Sequence, residues 1–247
     1  MTTPLLQALH TQEPEAQIDY LTGESNAVLL QGNPCVHECI TMPDDMYFRY
    51  KILSFFQLIF KIRKKKYDTI YVLDKHWIFS VTAFLFGISE RRGFYRDRLS
   101  RYFLTWGVPY GYKVQHEVEY NLSLLETVSP DADMHLFFHV SAKDEAFVQE
   151  YLKTQGIEEY VVVINDGGNN GFEVGGSRML PNDIFQTLLQ KLASKYPKIL
   201  LLAGPNMKSY YDRYTQEENI INVAGLFKIP QSIVLLKYAK KVYTTDC

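Results

Sequence analysis

The amino-acid sequence predicts an α/β protein made of two successive units, each a parallel sheet with helices between its strands. Three observations predict it. Short β-branched and aromatic runs alternate with longer amphipathic stretches through all 247 residues. That rhythm pauses at a helix near residue 141 and restarts at Val161. The restart is four β-branched residues, Val161 to Ile164, with the composition of a buried strand, and five of the chain's 14 glycines follow between positions 167 and 176.

In chain order, Thr3 and Pro4 read as an N-cap and first-turn proline, with Leu5, Leu6 and Leu9 on one helical face. Residues 17–21 alternate and read as a strand, 24–30 as a short helix ending at Gly32-Asn33-Pro34, and 36–42 as a second strand. Residues 48–62 are apolar over about four turns and run into the basic stretch 61–66. One reading is a core helix with cations at its C-terminus, where the dipole favours them. The other is a helix resting on an anionic membrane surface, a weak inner-membrane contact. Residues 69–73 form a near-continuous apolar strand ending at Asp74, then 80–86 a helix and 90–94 a short strand or turn. Residues 116–128 read as a helix and 136–140 as a strand. Ser141 with Asp144 reads as a capping box opening a helix that ends at Gly156. Beyond it come a strand at 161–164, helix 182–195, strand 199–203, helix 207–214, strand 220–223, helix 230–239 and strand 241–245. The expected organisation is therefore an N-terminal Rossmann-like domain over 1–140, a linker helix over 141–157 and a second Rossmann-like domain over 158–247, the two facing a cleft.

Composition bounds the function. Forty-seven per cent hydrophobic and 22% charged residues suit a globular protein with a real core. A net charge of −2 argues against a general nucleic-acid partner. Three cysteines make no disulfide framework, which points to a reducing compartment. Residues 1–17 lack a signal-peptide pattern and no apolar run reaches membrane-span length, so the expected location is cytoplasmic, with peripheral membrane contact. Cys35, His37 and Cys39 alternate within an expected strand; three soft ligands without a fourth read as half-buried strand residues, so no metal is expected. Arg91, Arg92, Arg96, Arg98 and Arg101 form a basic stretch that suits a solvated face, an anionic phosphorylated acceptor or, without any recognised module, a nucleic acid.

The stretch 161–181 carries the most chemistry. A strand, a glycine-rich loop, the cation Arg178 and a helix N-terminus are the parts by which α/β proteins receive phosphates. A long surface loop is the alternative. Asp74, at the carboxyl end of a strand, is placed for a ligand contact or a helix cap.

The order of short motifs resembles the glycosyltransferases of family 9, the heptosyltransferase type. The resemblance runs from residues 2–9 and Pro14-Glu15-Ala16, through Asn33-Pro34, Tyr67-Asp68-Thr69-Ile70, Arg92-Gly93 and His116-Glu117-Val118-Glu119. Asn165-Asp166-Gly167-Gly168 stands where the family has Asn-Pro-Gly-Ala, and Arg178-Met179-Leu180-Pro181 where it has Lys-Arg-Trp-Pro. Asn222-Val223-Ala224-Gly225 and Thr244-Thr245-Asp246 resemble the last two landmarks.

The resemblance implies a GT-B fold of two Rossmann-like domains. It implies inverting transfer of a sugar from a nucleotide sugar, ADP-heptose being typical, to a lipid-linked lipopolysaccharide acceptor, with no metal or other cofactor. It implies a nucleotide-sugar site at Gly167, Gly168, Arg178, Gly204, Phe227 and Asp246. It implies an acceptor side at Asp74, Arg92, His116 and Glu119. The family's catalytic aspartate precedes its first helix and maps before residue 1, so the sequence is expected to be incomplete at both termini, with a marginal fold. A catalytically inactive binding module is the alternative reading. The sequence departs from the family at Leu180, where the family has tryptophan, and at Met207 or Lys208, where a ribose-binding glutamate is usual.

Overall fold

Pro4 fixes the backbone of the first turn of helix α1, Thr3–Gln12, at a position where no intrahelical donor is needed. The computed structural model describes residues 1–47, 49, 51–111, 114–127, 133–167 and 178–245. It divides the chain into two compact units, Met1–His139 and Val140–Cys247. The N-cap of α1 is Thr2 rather than Thr3. Thr3 is buried, and its Oγ1 accepts the Phe137 N–H at 3.0 Å.

The first unit continues with β1 (Asp19–Gly23), α2 (Glu24–Ala27) and β2 (Glu38–Met42). Next come α3 (Ile52–Lys65), β3 (Thr69–Val72) and α4 (Trp77–Leu85). It closes with β4 (Glu90–Tyr95), α5 (Arg98–Phe103), β5 (Trp106–Pro109) and α6 (Glu117–Leu122). β1 pairs parallel to β2, with Asp19 opposite Glu38. β3, β4 and β5 form a separate parallel ladder, with Ile70 opposite Arg91 and Phe94 opposite Val108. Leu5, Leu9, Val118 and Leu122 of α1 and α6 cover one face, against Ile18, Tyr71 and Leu73. Leu58, Ile59 and Ile62 of α3 cover the other, against Ile40, Leu21 and Ile70.

Several local expectations change. Residues 136–140 form no strand, because the Phe137 amide is taken by Thr3 instead of a ladder. α6 stops at Leu122, where Ser123 turns its hydroxyl back onto the Tyr120 carbonyl at 2.7 Å. Cys35 and His37 precede β2, so they do not share a strand face with Cys39. The Cys35 amide donates to Asn33 Oδ1 at 2.9 Å, and His37 turns to Asp19 at 2.9 Å. Among the described residues no group of three or more His, Cys, Asp or Glu is placed to hold a metal ion. No helix among them is long and apolar enough to cross a membrane. Helix α3 sends three residues into the core, while Ile52, Leu53, Phe56 and Phe60 are 52–73% exposed beside exposed Lys61 and Lys64.

The second unit opens on α7 (Ala142–Thr154), capped where Ser141 Oγ accepts the Asp144 N–H at 3.1 Å. The Asp144 carboxylate takes the Ser141 hydroxyl at 2.6 Å and Gln231 Nε2 at 3.1 Å. β6 (Val161–Ile164), α8 (Asn182–Ala193) and β7 (Ile199–Leu201) follow. Then come α9 (Lys208–Tyr211), β8 (Ile220–Asn222), α10 (Ile229–Tyr238) and β9 (Lys241–Thr244). Single 3-10 turns, Pro205–Met207 and Asp212–Tyr214, flank α9, the first opening on a proline whose missing N–H costs nothing at a helix start. The strands run parallel in the order β8-β7-β6-β9. Val161 and Val163 pack towards Phe185 and Leu189 of α8, and Val162 packs towards Val148 of α7 and Val234 of α10. Each such burial contributes about 1.5–3 kcal/mol, which is why this run anchors the unit.

At the amino ends of β1, β2 and β3 sits an ion cluster. Asp19 accepts from Lys65 Nζ at 2.8 Å, from the Tyr67 hydroxyl and from His37, and Lys65 also reaches Glu38. Burial opposes ionisation of Asp19, but these hydrogen bonds outweigh it and hold its pKa at about 2, below the ordinary 3.8. A carboxyl depressed in the folded state stabilises fully above its unfolded pKa, and that contribution fades as pH falls towards the folded one. Asp19→Asn is expected to lower stability at pH 7 by about 1–3 kcal/mol and to flatten the loss of stability between pH 4 and 2, read from urea midpoints against pH.

Candidate functional site

In the second unit the chain winds to one side of β6 through α8, β7, α9 and β8, and only then returns to pair β9 on the other side. The connections diverge at the carboxyl ends of β6 and β9, a topological switch point, where open parallel sheets leave a crevice for ligands. The two strand ends are joined there by the Thr245 N–H on the Ile164 carbonyl at 3.2 Å. Asn165, Asp166 and Gly167 leave β6 at this edge, and Thr244 and Thr245 close β9 beside it.

Asn165 is buried and organises the edge. Its N–H donates to Tyr211 Oη at 2.7 Å, and its Oδ1 accepts the Leu180 N–H at 2.7 Å. The second bond ties the two ends of the 166–179 segment into a neck. Gly167 is buried with φ of 67°, a left-handed conformation that a side chain would strain. Arg178 is exposed on the returning side of the neck. Gly168 and Asp246, both expected in the site, lie outside the described residues. Gly204 is exposed beyond the end of β7, its carbonyl accepting the Met207 N–H at 3.0 Å. Phe227 is half-buried, and its ring meets Tyr151 edge-on at 5.1 Å and Phe147 at 6.3 Å, both on α7.

Sequence reasoning missed the tyrosines behind this edge. Tyr210 and Tyr214 both donate to Asn182 Oδ1, at 3.1 and 3.2 Å, and Tyr210 Oη lies 3.5 Å from Asn165 Nδ2. Burial pushes the Tyr210 and Tyr211 hydroxyls up in pKa, so both stay neutral donors and acceptors. Their spacing at 210, 211 and 214 on one helical face was the available signal.

In the first unit the carboxyl end of β3 holds a polar group of its own. Asp74 Oδ1 accepts the His76 N–H at 2.9 Å, which shapes the entry to α4. Lys75 Nζ reaches Glu117 Oε2 at 2.6 Å, and the Tyr110 hydroxyl also donates to Glu117. Burial opposes ionisation of Glu117, yet the hydrogen bonds from Lys75 and Tyr110 win and depress its pKa. Arg96 lies 4.5 Å from the centre of the Tyr110 ring. His116 and Glu119 form a reciprocal capping box on α6: His116 Nδ1 accepts the Val118 N–H at 3.4 Å, and Glu119 Oε2 accepts the His116 N–H at 2.9 Å. Arg92 is not with them. It sits inside β4, bound to Glu90 at 2.6 Å and Glu126 at 2.7 Å, towards the amino ends of the strands. Arg91 also serves the fold, donating to the Phe103 carbonyl at 2.7 Å. Glu117 and Lys75, rather than Glu119 and Arg92, accompany Asp74.

The neck makes a prediction. Tyr211→Phe leaves the buried Asn165 N–H, and Asn165→Ala the half-buried Leu180 N–H, without its partner, and each is expected to cost about 1–3 kcal/mol, measured by urea unfolding. Because both changes act on one network, the double variant is expected to lose less than the sum.

Known proteins similar to this chain support the two-unit reading. Residues 55–247 match the family described as glycosyltransferase family 9 (heptosyltransferase). The chain is 23% identical, over 97% of its length, to lipopolysaccharide heptosyltransferase 3 of Escherichia coli K12, and spans 71% of that protein. A glycosyl transferase family 9 structure from Veillonella parvula superposes with a TM-score of 0.83 at 19% identity, covering 98% of this chain and 70% of that one. E. coli heptosyltransferase WaaC with ADP-2-deoxy-2-fluoro heptose superposes at 0.76 and 18% identity, covering 99% and 78%. The parallel sheets thus belong to the GT-B architecture of two Rossmann-like domains, and the chain belongs to glycosyltransferase family 9.

Proposed function

We propose that this chain binds a nucleotide sugar, ADP-heptose, at the β6–β9 edge and transfers its sugar, with inversion, to a lipid-linked lipopolysaccharide core acceptor. The observation that carries the reading is the switch point itself, with the neck at Asn165, the left-handed Gly167 and the cation Arg178 at one sheet edge. One relative of like fold carries ADP-2-deoxy-2-fluoro heptose, which supports this donor class. When the glycosidic bond breaks, negative charge develops on the departing diphosphate. Backbone N–H groups after β6 and the Arg178 guanidinium are suited to stabilise it. Gly204, Gly168 and Asp246 complete the donor side in this proposal, while Phe227 supports it through α7.

Attack by the acceptor hydroxyl needs a base. Glu117 is a poor one, because its hydrogen bonds favour the ionised form and weaken its pull on a proton. Asp74 Oδ1 is engaged by the His76 N–H, and the His116–Glu119 capping box holds the start of α6 on the acceptor side, while Arg92, bound to Glu90 and Glu126 at the other end of its strand, serves the frame. The engagement of both carboxylates favours a second reading, a binding module without turnover. Donor binding with no sugar release would select it.

Calorimetry with ADP, UDP and GDP is the test. ADP is expected to bind at least tenfold more tightly than the other two, and Arg178→Ala to weaken it about tenfold or more, with the unfolding midpoint little changed. Equal affinity for all three would sink the ADP assignment.

The exposed stripe Ile52, Leu53, Phe56 and Phe60 of α3, beside Lys61 and Lys64, supports a peripheral contact with an anionic inner-membrane surface. In sedimentation with vesicles, the chain is expected to bind phosphatidylglycerol-containing lipid and not pure phosphatidylcholine. Phe56→Ser with Phe60→Ser should abolish that binding.

A further inference from the structure

Helix α9 is a single turn of four residues, Lys208–Tyr211, and a run that short does not hold its own shape. Its place is set from outside, by the exit of β8. Asn222, the last residue of β8, turns both amide protons and its oxygen to this task. Its Nδ2 donates to the Lys208 carbonyl at 2.9 Å and to Asp212 Oδ1 at 2.7 Å, one at each end of the turn. Its Oδ1 accepts the Ala224 N–H at 2.9 Å, which folds the following residues back. Gly225 then has a φ of 75°, and its N–H donates to the Ala203 carbonyl at 2.9 Å. A Cβ on Gly225 would stand 2.8 Å from Pro205 Cα, well inside the separation at which carbons pack. The exit of β8 thus abuts the 205–212 segment at its start and grips both ends of its one helical turn.

The other side of α9 carries the neck. Tyr211 is fully buried, and its Oη accepts the Asn165 N–H at 2.7 Å. Tyr210 Oη donates to Asn182 Oδ1 at 3.1 Å and lies 3.5 Å from Asn165 Nδ2. Phe185 of α8 stacks on both rings, with centres 6.2 and 6.1 Å away. Close-packed rings pass on a shift of the helix rather than absorb it. β7 separates β8 from β6, so the exit of β8 reaches the neck through α9.

We infer, on the reading of the β6–β9 edge as the donor site, that Asn222 is a positioning residue for that edge. By fixing both ends of α9 it sets where Tyr211 stands. Tyr211 in turn sets the Asn165 neck and the direction of the backbone N–H groups that follow it. Asn222 touches no reacting atom and acts only through α9. Donors aimed at a developing charge work because they are already in place, and they lose effect when their support can swing. The chemistry of the position calls for an amide: it faces two acceptors, the Lys208 carbonyl and the Asp212 carboxylate, and one donor, the Ala224 N–H. Aspartate has the same shape and keeps the bond to Ala224, but it sets oxygen against oxygen at Lys208 and Asp212.

Amide hydrogen exchange and calorimetry with ADP, both on the full chain, test this with three variants. Asn222→Asp is expected to speed exchange at the Asn165 and Leu180 amides about tenfold or more, with Val161–Val163 and Ile199–Leu201 changed by less than about threefold. The same variant is expected to bind ADP about five- to tenfold more weakly. Asp212→Asn still offers Asn222 an acceptor and is expected to stay within about twofold of the unaltered chain in both measurements. The exchanged pair, Asn222→Asp with Asp212→Asn, re-forms the 222–212 bond in the opposite direction and is expected to recover most of both losses. The inference is overturned if Asn222→Asp leaves the neck amides unchanged, or if exchange quickens equally along β6 and β7, as a general loss of stability would produce. It is overturned too if the exchanged pair recovers nothing, or if the neck loosens while ADP affinity holds. An unaltered chain that binds no ADP removes the donor reading, and exchange at Asn165 and Leu180 then decides alone whether Asn222 sets the neck.

Discussion

Parallel pairing on both sides of β6 is the constraint on which the second unit depends. Parallel strands cannot be joined by a tight turn, so each step from β6 to its neighbours needs a helical crossover. Those helices cover both faces of the sheet and bury Val161, Val162 and Val163 almost completely. With both faces closed, the carboxyl edge is where polar backbone can meet a ligand. The divergence of the connections on either side of β6 selects one place on that edge. Asn165 stands at that place, and its bonds to Tyr211 and Leu180 convert a long glycine-rich segment into one with a fixed neck.

The first unit obeys the same rule in two parallel ladders, β1-β2 and β3-β4-β5. Helices α1 and α6 cover Ile18, Tyr71 and Leu73, and α3 covers Leu21, Ile40 and Ile70. The ion cluster of Asp19, Lys65, Glu38 and Tyr67 holds the amino ends of β1 and β3 together without a ladder between them. At the opposite end, Lys75, Glu117 and Tyr110 form a compact polar group next to Asp74. These two clusters do different work. The first fixes the frame, and the second faces the end of the strands where chemistry in such sheets takes place.

Much of the frame was legible in the sequence because it repeats. The run Val161–Ile164 and the stripe through Phe185, Leu189 and Leu192 carry the periods of a buried strand and of an amphipathic helix, and both elements are present. α5 and β5 were hidden, since six and four residues are too few to show a period inside a basic, aromatic stretch. Residues 136–140 alternate like a strand, but alternation cannot reveal that Thr3 takes the amide a ladder would need. The site divided in the same way. Gly167 stood out by composition. The role of Asn165 depends on partners 15 and 46 residues away, and the exchange of Arg92 for Lys75 depends on which end of a strand each side chain reaches. Such long-range geometry leaves no local mark on the sequence.

The central claim is that donor phosphates are held at the β6–β9 edge. Titration of the amide-labelled chain with ADP, followed by nuclear magnetic resonance, addresses it most directly. Saturable shifts are expected at Asn165, Asp166, Gly167, Leu180 and Thr245, with the amides of Asp74 to Trp77 unmoved. Shifts confined to the first unit, or none at millimolar ADP while the β6 and β7 amides remain dispersed, would contradict the account.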